Sequence, residues 1–216
     1  MILYGSTMSP FVRKVAAFAA EKGIELDLEP IGLGDPNPEF RKASPFGKMP
    51  GFADGDYYLA DSSAIIHYLE AKHPQPELIP SEPRLRGKCI WYEEFADSIL
   101  AGCGGKMFLN RIVAPIFLKR PGDLAAADSA ERDELPTILD YVESIAPEGD
   151  GYLVGGRLTL ADIAIASPFA NLRHLKVDLD GERWPRTIAF TQRILSRPSF
   201  APWVAKEAAF LEKVAA

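Results

Sequence analysis

Hydrophobic and polar residues along the first third of this chain repeat in two periods, and each change of period marks an element. Ile2-Leu3-Tyr4 is a short apolar run closed by Gly5-Ser6-Thr7, which predicts a strand and a turn. From Ser9-Pro10 onward, Val12, Val15, Ala16, Phe18 and Ala19 recur at helical spacing until Gly23 stops them. Pro10 falls where a first helical turn accepts proline. Glu25-Leu26-Asp27-Leu28-Glu29-Pro30-Ile31 alternates strictly, as a half-buried strand does. Asn37 to Gly47 is short, polar and flanked by proline, so only an irregular helix is expected there. Gly51-Phe52-Ala53 and Tyr57-Tyr58-Leu59, joined through Asp54-Gly55, read as a hairpin. A helix from Asp61 to about Lys72 completes a βαβ-α-ββα unit.

Pro74, Pro76, Pro80 and Pro83 then interrupt any period, which predicts a linker. Beyond it the pattern is helical only. Helices are expected over Arg84 to about Leu118, Asp128 to Ile145, Leu160 to Leu172, Arg183 to Ser196 and Ser199 to Val214. Trp91, Phe95, Ile99 and Leu100 are expected on one side of the first. Residues 1–78 therefore read as an α/β domain and 84–216 as an all-helical one. Thr159 and Asp162 have the spacing of a reciprocal N-terminal cap, with Leu158 and Ile163 at the staple positions; losing such a cap costs ~1 kcal/mol. Arg13 and Lys14 read as surface charges of the first helix. Gly102, Gly104 and Gly105 cost roughly 1 kcal/mol each inside a helix, so a kink, a close approach or a helix break is expected, and the following Lys106 and Met107 could rim a pocket. Phe108, Phe117 and Trp203 read as core rather than pocket lining.

Composition narrows the classes without choosing among them. Of 216 residues, 47% are hydrophobic and 25% charged, as in ordinary globular proteins. A net charge of −6 argues against a nucleic-acid partner. No apolar run approaches the roughly 18 residues of a membrane span, and the N-terminus reads as a strand rather than a leader. Two cysteines, Cys89 and Cys103, in helix-like surroundings read as reduced core thiols. A cytoplasmic protein is expected. His67, His73 and His174 have no metal-ligand spacing with them, so no metal is expected.

The chemistry concentrates at two places. Met49-Pro50 puts a proline at the mouth of a strand, where a cis X-Pro bond would turn the Met49 backbone outward, free to pair with an extended ligand. Asp61-Ser62-Ser63 opens a helix whose free N–H groups and positive dipole end suit a carboxylate, while the acidic residue suits an ammonium. A ligand carrying amide, carboxylate and ammonium together is a short peptide.

Leu3-Tyr4-Gly5, Ser9-Pro10-Phe11, Gly47-Lys48-Met49-Pro50, Asp61-Ser62 and Leu158-Thr159-Leu160-Ala161-Asp162, in this order and over essentially the whole chain, resemble the glutathione transferase superfamily. Ser9-Pro10-Phe11-Val12-Arg13 is most similar to its serine-type branches, bacterial members included, and lacks the cysteine that other branches carry before this proline. The resemblance implies a thioredoxin-like domain followed by a helical bundle, the former binding glutathione and the latter lining an electrophile pocket. It implies an enzyme of detoxification, a glutathione transferase that activates the thiol for conjugation of small hydrophobic electrophiles, with peroxide reduction open to the same thiolate. Glutathione would serve as co-substrate, with no other cofactor. Ser9 is then the expected thiol donor, although residue type and position alone favour its capping its own helix; Tyr4, near the end of the first strand, is the rival, and Thr7 another. Phe11, Lys48, Met49, Pro50, Asp61, Ser62 and Ser63 are expected to bind glutathione, with Lys48 on the glycyl carboxylate or merely a solvated loop cation, and Asp61 a cap as well as a ligand. A homodimer is implied, with Phe46 where some branches insert an aromatic into the partner subunit. The other class of answer is a non-catalytic glutathione-binding or regulatory protein on the same fold.

Overall fold

The computed structural model describes residues 1–215. A four-stranded sheet of order β2-β1-β3-β4 is built from β1 (Ile2–Tyr4), β2 (Asp27–Glu29), β3 (Gly51–Asp54) and β4 (Tyr57–Ala60), with β1 and β2 parallel and the other pairs antiparallel. Helices α1 (Pro10–Glu21), α2 (Pro38–Ala43) and α3 (Ser62–Lys72) complete this part. β2 is shorter than the alternation of 25–31 predicts. Its only neighbour, β1, is three residues long, and Pro30 has no N–H with which to extend the ladder. The hairpin turn falls at Gly55-Asp56, one residue later than read, with Gly55 at φ +64°.

Side chains alternate across the sheet. Leu3 and Phe52 face α1 and α3, joining Val12, Val15, Phe18, Ile65, Ile66 and Leu69 in the main core. Tyr4 and Ala53 face the other way, into a small cluster with Phe40 and Ala43 of α2.

After β4 the described residues are helical, with no further strand. A continuous helical run holds α4 (Pro83–Glu94), a π-helical segment Phe95–Leu100, α5 (Ala101–Phe108) and a second π-helical segment Leu109–Phe117 containing Pro115. α6 (Leu124–Ser129), a short π-helical segment Ala130–Glu134 and α7 (Leu135–Ile145) follow, then α8 (Leu160–His174), α9 (Pro185–Leu195) and α10 (Ala201–Ala215). The expected face of the long run divides: Phe95 and Leu100 are buried, but Trp91 and Ile99 are half-exposed, and from Phe95 to Leu100 a π-helical turn replaces the 3.6-residue period. The glycines of α5 neither break the helix nor receive a neighbour, since a Cβ at Gly102 or Gly105 would meet nothing and one at Gly104 only Leu172 at 3.8 Å. Phe108 is buried, Trp203 is half-buried, and Phe117 departs from the core reading by stacking on Phe210 at the surface (centroids 5.8 Å apart).

α8 runs through the middle of the helical part, packed against α1, α4 and α9. Thr159 and Asp162 close its capping box: the carboxylate accepts the Thr159 N–H at 2.8 Å, its hydroxyl at 3.0 Å and the Leu153 N–H at 2.9 Å. Burial pushes the Asp162 carboxyl up to about 6 against these bonds. Both cysteines are free and buried, their thiols pushed up to about 11. Among the described residues no helix is long and apolar enough to cross a membrane.

Arg13 and Lys14 overturn the surface reading. Their side chains are 0% and 1% exposed. α1 packs against α3 on one flank and α8 on another, so the side that would be solvated on an isolated domain is covered by the second.

Candidate glutathione-binding and catalytic site

Two turns and one helix enclose a cleft of about 470 Å³. The first turn leads from β1 to α1. Gly5 sits at φ +150°, and a Cβ there would come within 2.6 Å of Val12 Cγ2, so the close return of the chain requires glycine. Ser9 is the N-cap of α1 in backbone position, yet its side chain caps nothing. The helix-cap alternative for this hydroxyl is therefore not what the structure uses. Ser9 is half-buried and is not itself one of the residues lining the cleft, whereas Phe11, two residues on, is.

The second turn carries Met49 and Pro50, joined by a cis peptide bond. Ser44 fixes its approach, its hydroxyl donating to the Lys48 carbonyl at 2.6 Å and accepting the Lys48 N–H at 3.0 Å. The Ser6 N–H reaches the Met49 sulfur at 3.4 Å, which brings the two turns together. Lys48, Met49 and Pro50 all line the cleft.

The rest of the lining comes from the start of α3, the end of α4 and the π-helical segment that follows it. Asp61, at φ +76°, accepts the N–H groups of Ser63 (2.9 Å) and Ala64 (3.1 Å) through one carboxylate oxygen. Two N–H groups expected to be open to a ligand are thus already capped. Asp61, Ser62 and Ser63 line the cleft beside Glu94, Asp97 and Ser98. Asp97 accepts the hydroxyls of Ser62 and Ser63, both at 3.4 Å, and a short bond from Lys14 Nζ. Lys14 also donates to Glu93 at 2.9 Å, whose other oxygen is buried without a partner. Burial raises the Asp97 carboxyl above the usual aspartate value, with Lys14 opposing the shift. The lining carries both signs of charge, carboxylates at Asp61, Glu94 and Asp97 and an ammonium at Lys48.

All seven residues read from the sequence as binders, Phe11, Lys48, Met49, Pro50, Asp61, Ser62 and Ser63, come together on this cleft. Besides Ser9, which stands outside the lining, three others are not brought to it. Tyr4 is buried on the far face of the sheet, its ring 6.3 Å from Phe40, because the alternation that aims Leu3 at α1 aims Tyr4 at α2; burial raises its phenol above the usual value. Met107 is fully buried in the main core, and Lys106 is ion-paired to Glu134 at 2.8 Å on the outer side of α5. Thr7, the remaining hydroxyl considered, is buried. Asp97 was missed by sequence reasoning. Its signal was present as a carboxylate one helical turn after Glu93, matched by a lysine amid the apolar residues of α1. Among the described residues no group of three or more His, Cys, Asp or Glu is arranged to hold a metal ion.

Residues 3–77 match the family described as glutathione S-transferase, N-terminal domain, and residues 107–198 the family described as glutathione S-transferase, C-terminal domain. A glutathione S-transferase of Hyoscyamus muticus is 30% identical over 93% of this chain and 96% of its own. Among solved structures, a glutathione S-transferase of Methylobacterium radiotolerans in complex with glutathione sulfonate is similar at TM-score 0.77, with 28% identity over 94% of this chain and 93% of that one. A glutathione S-transferase of Rhodospirillum rubrum shares the fold at TM-score 0.83, with 24% identity over 94% and 90% of the two chains.

Proposed function

We propose, from the premise that this chain belongs to the glutathione S-transferase family, that it is a serine-type transferase in which Ser9 activates the thiol of glutathione for attack on small hydrophobic electrophiles. The observation that carries this reading is the make-up of the cleft: carboxylates at Asp61, Glu94 and Asp97, an ammonium at Lys48 and the Met49-Pro50 turn all line it. That set of groups suits glutathione, whose γ-glutamyl end carries an ammonium and a carboxylate, whose glycyl end carries a second carboxylate, and whose middle is amide.

Met49 pairs its backbone with the cysteinyl unit. Asp61, Ser62 and Ser63 hold the γ-glutamyl end, with Asp97 adding charge toward the ammonium. Lys48 meets the glycyl carboxylate, and Phe11 covers the apolar side. The sulfur then lies toward the start of α1, where the Ser9 hydroxyl is unspent. A free thiol of pKa ~8.5 is only a few per cent ionised at neutral pH. Lowering that pKa by ~2 units needs ~2.7 kcal/mol of preference for the thiolate. A hydrogen bond to a charged group, worth ~1.5–3 kcal/mol, supplies most of it, and the N-terminal dipole of α1 the rest.

The same thiolate serves conjugation and peroxide reduction, both with glutathione as co-substrate and no other cofactor, in a cytoplasmic protein of detoxification. The proposed assembly is a homodimer, with Phe46, 90% exposed beside the cleft, as its aromatic contact; a monomer on gel filtration at micromolar concentration would remove that claim. Calorimetric titration of glutathione and conjugation of a chloro-nitro-aromatic probe test the reading together. Binding and turnover are expected, with turnover lost in Ser9→Ala. Binding without turnover, unchanged in Ser9→Ala, would assign the chain to the non-catalytic class.

A further inference from the structure

The carbonyl groups around Ser9 are all engaged, and three of them by side chains of one connected network. Arg13 Nη1 donates to the Thr7 carbonyl at 2.7 Å. Asn171 Nδ2 donates to the Met8 carbonyl at 2.9 Å. The Ser167 hydroxyl donates to the Pro10 carbonyl at 2.7 Å. Ser9's own carbonyl takes the Arg13 N–H at 3.0 Å, the first turn of α1. Ser167 and Asn171 stand at i and i+4 of α8, one face of a helix from the other domain.

The network closes on itself. Arg13 Nη2 donates to the Ser167 carbonyl at 2.9 Å and makes a short bond to Asn171 Oδ1. Glu207 of α10 accepts Arg13 Nη1 at 2.8 Å and meets His174 Nε2 at 2.8 Å with the same oxygen. Arg13, Ser167, Asn171 and Glu207 are all buried. A fully buried guanidinium is costly to desolvate, and the pair leaves Arg13 Nε and Glu207 Oε1 without partners. Such an arrangement is a poor device for stability alone. A planar fork that grips a loop backbone is a good device for fixing geometry.

The geometry points to Arg13, Ser167 and Asn171, with Glu207 behind them, as positioning residues that set the Ser9 hydroxyl against the sulfur. This rests on the reading of Ser9 given above and extends it: the catalytic turn belongs to the first domain, but its shape is imposed by the second and by the C-terminal helix. The network touches neither glutathione residues nor the walls at Lys48 and Asp61, so it should govern thiol ionisation and turnover rather than affinity.

The test is the ultraviolet titration of the thiolate of bound glutathione, with turnover and glutathione affinity measured on the same proteins. Ser167→Ala and Asn171→Leu each remove a loop bond without leaving a buried charge. Both are expected to raise the pKa of the bound thiol and to lower kcat about 10-fold, since displacements well under 1 Å carry effects of that order, with the glutathione Kd within about twofold. Glu207→Gln, which keeps an oxygen for Arg13, should retain more of the activity than Glu207→Leu. Glu21→Gln is the control: it weakens the bonds of Arg197 (2.7 Å) and Ser199 (2.5 Å) to the far end of α1, and should lower the melting temperature while leaving the thiol pKa unchanged. Clamp variants that melt earlier but keep the wild-type thiol pKa and kcat would overturn the proposal while leaving Ser9 in place. A thiol pKa unmoved by Ser9→Ala would remove the underlying reading and the positioning role together.

Discussion

The two walls of the cleft are anchored in opposite ways. At the β1–α1 turn the backbone is held from behind, through Arg13, Ser167 and Asn171, while the Ser9 side chain is left uncommitted. At the start of α3 it is the side chains that are committed: Asp61 to its helix, Ser62 and Ser63 to Asp97, and Asp97 to Lys14. Two neighbouring cations of α1 thus serve different ends, Arg13 gripping carbonyls and Lys14 neutralising carboxylates. A rigid turn with a spare hydroxyl suits a transition state that tolerates little displacement. A wall of exchangeable hydrogen bonds suits the capture of a charged ligand. Perturbing one wall should therefore change rate, and perturbing the other should change affinity.

The largest expected effect removes the charge beneath the binding wall. Lys14→Met leaves Glu93 and Asp97 with no cation, and a buried pair broken in this way costs about 3–5 kcal/mol; urea unfolding reads it directly. Next is Ser9→Ala, expected to cut kcat on the order of 10²-fold, as loss of one donor to a developing charge does. Steady-state kinetics with glutathione varied should show its affinity within about twofold. Asp61→Ala sharpens the contrast from the other side. Glutathione binding should weaken about 10-fold or somewhat more, tenfold being ~1.4 kcal/mol and a hydrogen bond to a charged group ~1.5–3 kcal/mol, and kcat at saturation should hold. If kcat fell as far as in Ser9→Ala, the division between the walls would be wrong.

Acidity offers a subtler probe. Burial raises the Asp97 carboxyl, so it loses its charge at a higher pH than an ordinary aspartate as the solution is acidified. Its attraction for an ammonium is present above that raised pKa and lost below it. Glutathione affinity by calorimetry should fall on mild acidification, and Asp97→Asn should flatten that fall. The smallest effect is expected of Tyr4→Phe, whose hydroxyl faces α2; activity should stay within about twofold.

Where the sequence was readable, the reason was local. The prolines at 50 and 10, the acidic cap at Asp61 and the Thr159–Asp162 spacing each declare a backbone geometry within a few residues, and periodicity placed the longer helices to within a few positions. Burial imposed by the second domain was not local. Arg13 and Lys14 look solvated on α1 taken alone; only the packing of α8 and the α4 run against it makes them interior. The same cause hid Asp97 and Asn171, ordinary polar positions on their own helices that acquire meaning across the domain boundary. Lys106 and Met107 failed for a related reason: following a glycine cluster is no guide to which face of α5 meets a ligand, and that face meets the core and Glu134. Tyr4 was decided by parity along a strand too short to reveal it.

A structure of the protein with glutathione bound bears most directly on the proposed chemistry. The tripeptide should lie along Met49-Pro50, its ammonium end toward Asp61 and Asp97, with its sulfur within about 3.5 Å of the Ser9 hydroxyl, hydrogen-bonding reach for sulfur. A tripeptide running the other way, or a sulfur beyond the reach of Ser9, would contradict it.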